Sequence, residues 1–243
     1  MREPVKIEPS PKRVRVMLGG EMVVDSYRPL LVWEVPYFPT YFFPRTDVNA
    51  DLLPDGEREG KGLGSATTFT VKTPKREAKS GAYSYLNVPE LTDLIALRWK
   101  SMDSWFEEDE EVYVHPRDPY KRVDILKSTR HVQVLVDGVE VANSMAPTLL
   151  FETSLPTRYY LPKTDVRMGL LTKSDRHTEC PYKGVAEYWD LTVNGQTHPN
   201  FVWSYPFPTS ESSKIAGLLC FYNERVDLIV DGLALERPAS PFS

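Results

Sequence analysis

Cys180, Lys183 and Glu152 are the residues whose types and spacing best suit chemistry. Cys180 lies three residues from His177 on one side and three from Lys183 on the other. A thiolate beside a cation is a competent nucleophile, and a loop over 174–184 would let either neighbour reach it. The competing reading is a small buried hydrophobe, pinned in place by Pro181. Glu152 ends the apolar run Thr148-Leu149-Leu150-Phe151, which points its carboxylate inward. An inward glutamate would pair with Lys183 or Arg158 and titrate away from its ordinary range. Lys183 and Glu152 would then serve as acid and base. Asp165 follows Pro162 and is placed to bond the amides of its own turn.

Aromatic residues crowd the same part of the chain. Tyr160, Tyr182, Tyr188, Trp203 and Tyr205 stand with Tyr159, Trp189, Phe221 and Tyr222 in its second half. Strand alternation sends about half to each face of a sheet. One face is core; the other could line a ligand pocket with tyrosine hydroxyls and an indole N–H as orienting donors. The alternative is that all of them build the core of a small β domain.

Several chemistries fit poorly. His177, Cys180 and His198 with one carboxylate match no standard zinc spacing, and two cysteines without Cys-x-x-Cys make neither a disulfide framework nor a four-thiolate site. No metal or cofactor is expected. Gly62-Leu63-Gly64 lacks the lysine and the strand-to-helix setting of a phosphate loop. The formal net charge of −5 argues against nucleic acid, which needs a basic face. No apolar stretch reaches the length of a membrane span, and no apolar signal segment follows Met1, so a cytoplasmic location is the default expectation.

The elements that must position these residues come from a duplication. Residues 14–53 align without a gap on 132–171, with about fifteen of forty positions identical, where chance gives about two or three. Each copy opens with a hairpin: Val14-Arg15-Val16-Met17-Leu18, Gly19-Gly20, Glu21-Met22-Val23-Val24, and again around Asp137-Gly138. Third and fourth strands follow at 30–34 and 41–43, and at 148–152 and 159–161. The copies diverge over 56–79 and 174–184, read as a long charged segment and a compact loop. Asn194-Gly195 is a turn. The acidic run 107–111 reads as a solvated turn. Residues 89–97, with Pro at the first turn and apolar residues three and four apart, predict the one helix. Strands at 112–115 and 123–126 are expected to close the first copy. The reading is mainly β: two tandem antiparallel domains, 13–127 and 130–236, each a small sheet or barrel with little helix.

The second copy resembles the bacterial family known as domain of unknown function 427. The resemblance rests on Tyr159-Tyr160-Leu161-Pro162-Lys163-Thr164-Asp165-Val166, Cys180-Pro181-Tyr182-Lys183-Gly184-Val185-Ala186-Glu187-Tyr188-Trp189, Trp203-Ser204-Tyr205-Pro206 and Phe221-Tyr222 ahead of Val226-Asp227. It implies a compact β domain of the tent-like type and a tandem chain whose first copy is degenerate. That copy keeps Tyr41-Phe42-Phe43-Pro44-Arg45-Thr46-Asp47-Val48 but has no Cys-Pro-Tyr-Lys-Gly, and Trp99 is only an echo of Trp203. One classification labels the family nucleotidyltransferase-like. Gly64-Ser65 is present here, but the paired metal-binding carboxylates of that chemistry do not follow it.

The leading expectation is a small-molecule binding domain. Its pocket, in the second copy, is formed by Tyr160, Tyr182, Lys183, Tyr188, Trp203 and Tyr205, with Asp165 nearby. Lys183 favours a polar or anionic ligand. The competing readings are an enzyme of hydrolase, lyase or transferase type using Cys180, or Lys183 with Glu152, and a structural pair whose aromatic surface serves oligomerisation. The chain is expected as a monomer or weak homodimer. The sequence names neither ligand nor reaction.

Overall fold

A computed structural model describes residues 5–60 and 63–240. The chain divides into two compact units, residues 1–118 and 119–243. Each contains one antiparallel seven-stranded sheet and one antiparallel four-stranded sheet, with the same topology in both.

In the first unit the large sheet runs Ile7–Pro9, Leu30–Val35, Phe38–Pro44, Leu94–Leu97, Glu77–Ser84, Gly64–Lys72, Asp51–Gly60 from edge to edge. In the second it runs Val123–Lys127, Thr148–Glu152, Arg158–Leu161, Leu219–Phe221, Gln196–Ser204, Gly184–Val193, Leu171–Cys180. The small sheets are Glu110–Glu111, Ser104–Glu107, Val14–Leu18, Glu21–Ser26, and Leu233–Ala234, Asp227–Val230, Val132–Val136, Val139–Ser144. Neither large sheet closes: its two edge strands pair with different inner neighbours and not with each other. The duplicated fold is therefore an open tent of two sheets, not a barrel.

Period-two alternation decides what lies on each face of the large sheet. In the second unit Tyr159, Leu161, Trp189, Leu191, Val202 and Phe221 meet Val132, Val134 and Val136 of the small sheet in a core between the sheets. Their chain neighbours Tyr160, Tyr188, Trp203, Tyr205 and Cys220 point the other way, into a second core with Ile125, Leu150 and Ile215. The first unit has the same pair of cores. The second core of the second unit is capped by the 3-10 turn Ser210–Ile215, whose Ile215 is fully buried.

The hairpins form as their turn residues require. Asp137 and Gly138 both adopt positive φ (49° and 77°), the combination that lets a two-residue turn follow strand twist. Several expectations are corrected. Residues 89–97 are not a helix: Pro89–Leu91 is one 3-10 turn, and Leu94–Leu97 is an inner strand. A short apolar run has no periodicity of its own that separates the two, and here sheet pairing on both sides wins. The divergent segments are strands. Asp51–Gly60 pairs with Gly64–Lys72, and Leu171–Cys180 pairs with Gly184–Val193. Residues 112–115 form no strand. Val123–Lys127 does not close the first copy but pairs with Thr148–Glu152 as an edge strand of the second unit. The acidic run is not wholly solvated: Glu107 is buried, accepts the Tyr41 hydroxyl at 2.9 Å and pairs with Lys12.

Candidate functional site

Glu152 ends its strand on the second-core face of the large sheet, and Lys183 reaches it from the tight turn between Leu171–Cys180 and Gly184–Val193. Lys183 Nζ donates to Glu152 Oε2 at 2.5 Å, with both side chains about nine-tenths buried (11% and 10% exposed). The turn is locked from outside. The Thr209 and Ser212 hydroxyls donate to the Tyr182 carbonyl at 2.6 and 2.9 Å, and Gly184 bridges to Pro208. Burial disfavours the Lys183 ammonium, but the neighbouring Cys180 and Glu152 more than offset this and hold its pKa above the ordinary lysine value. The lysine is thus a fixed cation at neutral pH.

Around this pair stand the second-core aromatics. Tyr160 is fully buried, and its hydroxyl accepts the Trp203 indole N–H at 3.2 Å. The Tyr188 and Thr178 hydroxyls share a hydrogen bond at 2.8 Å. Tyr205 is buried, and burial together with the nearby Tyr160 and Cys180 keeps its phenol, like that of Tyr160, well above the usual tyrosine range. Both hydroxyls are neutral donors at any physiological pH.

Cys180 ends its strand, partly exposed, and packs against this cluster. It is not on a loop, and this removes one of its expected partners. Residues three apart on a strand face opposite ways. His177 is exposed on the far face and bonds the Asp175 carbonyl, while Thr178 and Cys180 face the aromatics. Lys183, brought back by the turn, is the cation beside the thiol.

Of the residues singled out in the sequence, the structure brings together Cys180, Lys183, Glu152, Tyr160, Tyr188, Trp203 and Tyr205. Two lie elsewhere. Tyr182 contributes its carbonyl to locking the turn. Asp165 accepts hydroxyl bonds from Ser144 at 2.6 Å and Thr164 at 2.9 Å, on the side of the sheet that carries the small sheet. Asp47 does the same with Ser26 and Thr46 in the first unit, so this aspartate is a fastening common to both copies. His198 pairs with Asp137 at 3.1 Å, away from Cys180. Among the described residues no group of three or more His, Cys, Asp and Glu is placed to hold a metal ion.

The sequence did not reveal a second buried ion pair on the same face. Arg158 grips Glu224 with two bonds of 2.8 and 2.7 Å, and its guanidinium lies 5.5 Å from the centre of the Trp203 ring. Of the two cations expected for Glu152, Lys183 takes it and Arg158 takes Glu224. Glu224 lies 66 residues away in sequence and carried no signal of its own.

Strand register lets the two units be compared position by position. Tyr160 and Trp203 both sit opposite Cys220; Phe42 and Tyr83 both sit opposite Ala96. Tyr83, not Trp99, is therefore the counterpart of Trp203, and Tyr85 that of Tyr205. Cys180 pairs with Gly184 as Gly60 pairs with Gly64, so Gly60 stands for Cys180 and Leu63 for Lys183. The first unit has no room for a side chain at Gly60, where a Cβ would lie 2.4 Å from Tyr85 Cε1.

The polar groups are closed differently in the two units. In the first, Glu34 Oε1 accepts the Tyr85 hydroxyl at 2.5 Å, and Oε2 accepts Tyr83 at 2.5 Å and Thr40 at 3.0 Å. In the second, among the described residues, Glu152 Oε1 accepts no hydrogen bond, the Tyr160 O–H donates to none and the Tyr205 hydroxyl has no partner. Among the described residues the fully buried side-chain atoms without a partner are Arg15 Nε and Ser204 Oγ, so the spare bonding capacity here belongs to an oxygen already bonded once (Tyr160) and to two atoms that still touch the surface (Glu152 Oε1 and the Tyr205 hydroxyl).

No helix among the described residues is long and apolar enough to cross a membrane. A search of curated proteins finds no match to the chain. The family described as "Domain of unknown function (DUF427)" matches residues 6–108 and 124–232, one segment in each unit, and the chain belongs to that family as a tandem member.

Proposed function

We propose that the second unit binds a small polar or anionic molecule at the cluster of Lys183, Glu152, Tyr160, Tyr188, Trp203 and Tyr205. The observation that supports this is the contrast between the copies. The first unit folds with Leu63, Gly60, Phe42 and a self-satisfied Glu34 at these positions, so the fold itself does not need the Lys183–Glu152 pair. A buried ion pair costs desolvation and gains little stability over an apolar isostere. Groups held at such a cost are best explained by what they bind. A ligand oxygen would accept from Tyr160 and Tyr205, and a ligand O–H or N–H would donate to Glu152 Oε1. Glu152 neutralises much of the Lys183 charge, so hydrogen bonding rather than net charge would dominate selection.

The test is a thermal-shift and native-mass screen of metabolites, nucleotides and anions on the full chain. One compound class is expected to raise Tm by several degrees, since a ligand preferring the folded state stabilises it. The shift is expected to vanish in the Tyr160→Phe/Tyr205→Phe variant. Shifts of equal size in that variant and in the wild type, or none in either, would overturn the assignment.

A further inference from the structure

We propose that Cys180 is an acyl-accepting nucleophile that takes the acyl group of a small activated ester or thioester onto Sγ, with the Tyr160 and Tyr205 O–H groups as donors to the oxyanion. The inference rests on the second-unit cluster being a ligand site and adds a reaction to it.

Four observations carry it. Cys180 faces into the cluster from a strand end and is partly exposed, so a molecule can reach it. Lys183, held by Glu152, presents an ammonium group on the cluster side of the same hairpin. Tyr205, with only 6% of its surface exposed, has a hydroxyl with no protein partner, and Tyr160, whose oxygen accepts the Trp203 N–H but whose own O–H donates to no protein group, belongs to the same cluster. The first unit, which lacks the cysteine and the lysine and has Phe42 for Tyr160, ties the hydroxyl of Tyr85, the counterpart of Tyr205, to Glu34. Donors without acceptors, next to a nucleophile and an acid, are the parts that acyl transfer uses: they are idle in the resting state and are engaged once negative charge develops on the carbonyl oxygen.

The steps balance without an outside oxidant or reductant. Sγ attacks the carbonyl carbon, the S–C bond forms and the C=O π pair moves to oxygen under the two phenols. As the tetrahedral species collapses, the bond from carbon to the leaving oxygen or sulfur breaks. Lys183 gives a proton to that leaving atom and takes the thiol proton in exchange, so the thiol proton is in effect delivered to the leaving alcohol or thiol. Water then attacks the thioester; a C–O bond forms, the C–S bond breaks, and a water proton returns to sulfur with release of the carboxylic acid. Glu152 is a positioning residue that keeps Lys183 charged and aimed.

Cys220 is the internal control. Burial pushes its thiol up to about 12, it is fully enclosed, and the first unit has Ala96 in its place. The experiment uses the full chain with p-nitrophenyl acetate, following p-nitrophenol release and locating the acetyl group by peptide mass spectrometry. The expected result is a burst of about one equivalent, with acetyl on Cys180 and none on Cys220. The burst should be unchanged in Cys220→Ala, absent in Cys180→Ala and about 100-fold slower in Tyr205→Phe, the size expected for loss of one oxyanion donor. Acetylation of Cys180 no faster than that of free glutathione, or a rate insensitive to Tyr160→Phe and Tyr205→Phe, would overturn the inference. A ligand-induced Tm rise without acetylation would leave the binding site standing and remove the reaction. Tyrosine-dependent acetylation without any ligand-induced rise would support the reaction and limit the site to transient binding of the acyl donor.

Discussion

Replacing Lys183 with leucine, the residue type found at the matching position of the first unit, is expected to destabilise the second unit by about 3–5 kcal/mol at neutral pH. The loss does not measure what the ion pair contributes. It comes from leaving Glu152 nine-tenths buried with no cation and no other donor. The control is Lys183→Leu/Glu152→Leu, which removes both charges; it is expected to fall within about 1 kcal/mol of wild type or to exceed it. Urea unfolding read by hydrogen exchange of second-unit peptides measures both. The pH dependence follows from the sign of the lysine shift. A lysine whose folded-state pKa is raised contributes stability that is fully present below the unfolded value near 10.4. That contribution is lost as pH rises through the higher folded value, so the wild type holds it through neutral and mildly alkaline pH. A single-variant loss as small as that of the double would mean that Glu152 finds water or another donor once the lysine is gone.

Breaking the Arg158–Glu224 pair should cost a similar amount, about 3–5 kcal/mol for Arg158→Met. Glu224 has no exposed side-chain surface, and its carboxylate would lose both guanidinium bonds. Trp203 would lose the cation lying over its ring. Burial opposes ionisation of Glu224, but Arg158 and the Ser240 hydroxyl more than offset it, and its pKa lies below the ordinary glutamate value. A depressed carboxylate contributes stability above its unfolded value near 4.3 and loses it as pH falls through the folded one. The wild type should therefore weaken in acid below about pH 5, and Arg158→Met should show a shallower acid slope. Equilibrium unfolding between pH 3 and 7 reads both quantities.

The duplication and its hairpins were legible because they are local. Asp137-Gly138 and Gly19-Gly20 announce their turns, and a repeat needs no structure to be seen. Glu152 beside Lys183 was also legible, since an acid ending an apolar strand must find a cation or a donor. What stayed hidden depends on register. Whether 174–180 is loop or strand changes which face His177 occupies, and only pairing with 184–191 decides it. The correspondence of Tyr83 with Trp203 escapes the ungapped alignment because the offset between the copies changes from 118 to 120 after residue 53; the shared neighbours Ala96 and Cys220 fix it, and Ser84-Tyr85 against Ser204-Tyr205 agrees with it. Glu224 was missed because a partner supplied by a distant segment leaves no spacing to read. The helix expected over 89–97 failed because four apolar residues between two strands pair sideways whatever their intrinsic preference.

The central claim is that the second unit holds polar groups for a ligand, where the first closes the matching Glu34 and Tyr85 on each other. It is tested most directly by comparing the stability of Tyr205→Phe with that of Tyr85→Phe in the full chain without any ligand. Tyr85 donates to a carboxylate at 2.5 Å, so removing its hydroxyl should cost about 1.5–3 kcal/mol. The Tyr205 hydroxyl has no protein partner and is not a fully buried atom, so its removal should change stability by less than about 0.5 kcal/mol. Equal losses in the two variants would show that Tyr205 already has its partner within the fold, and would contradict the account.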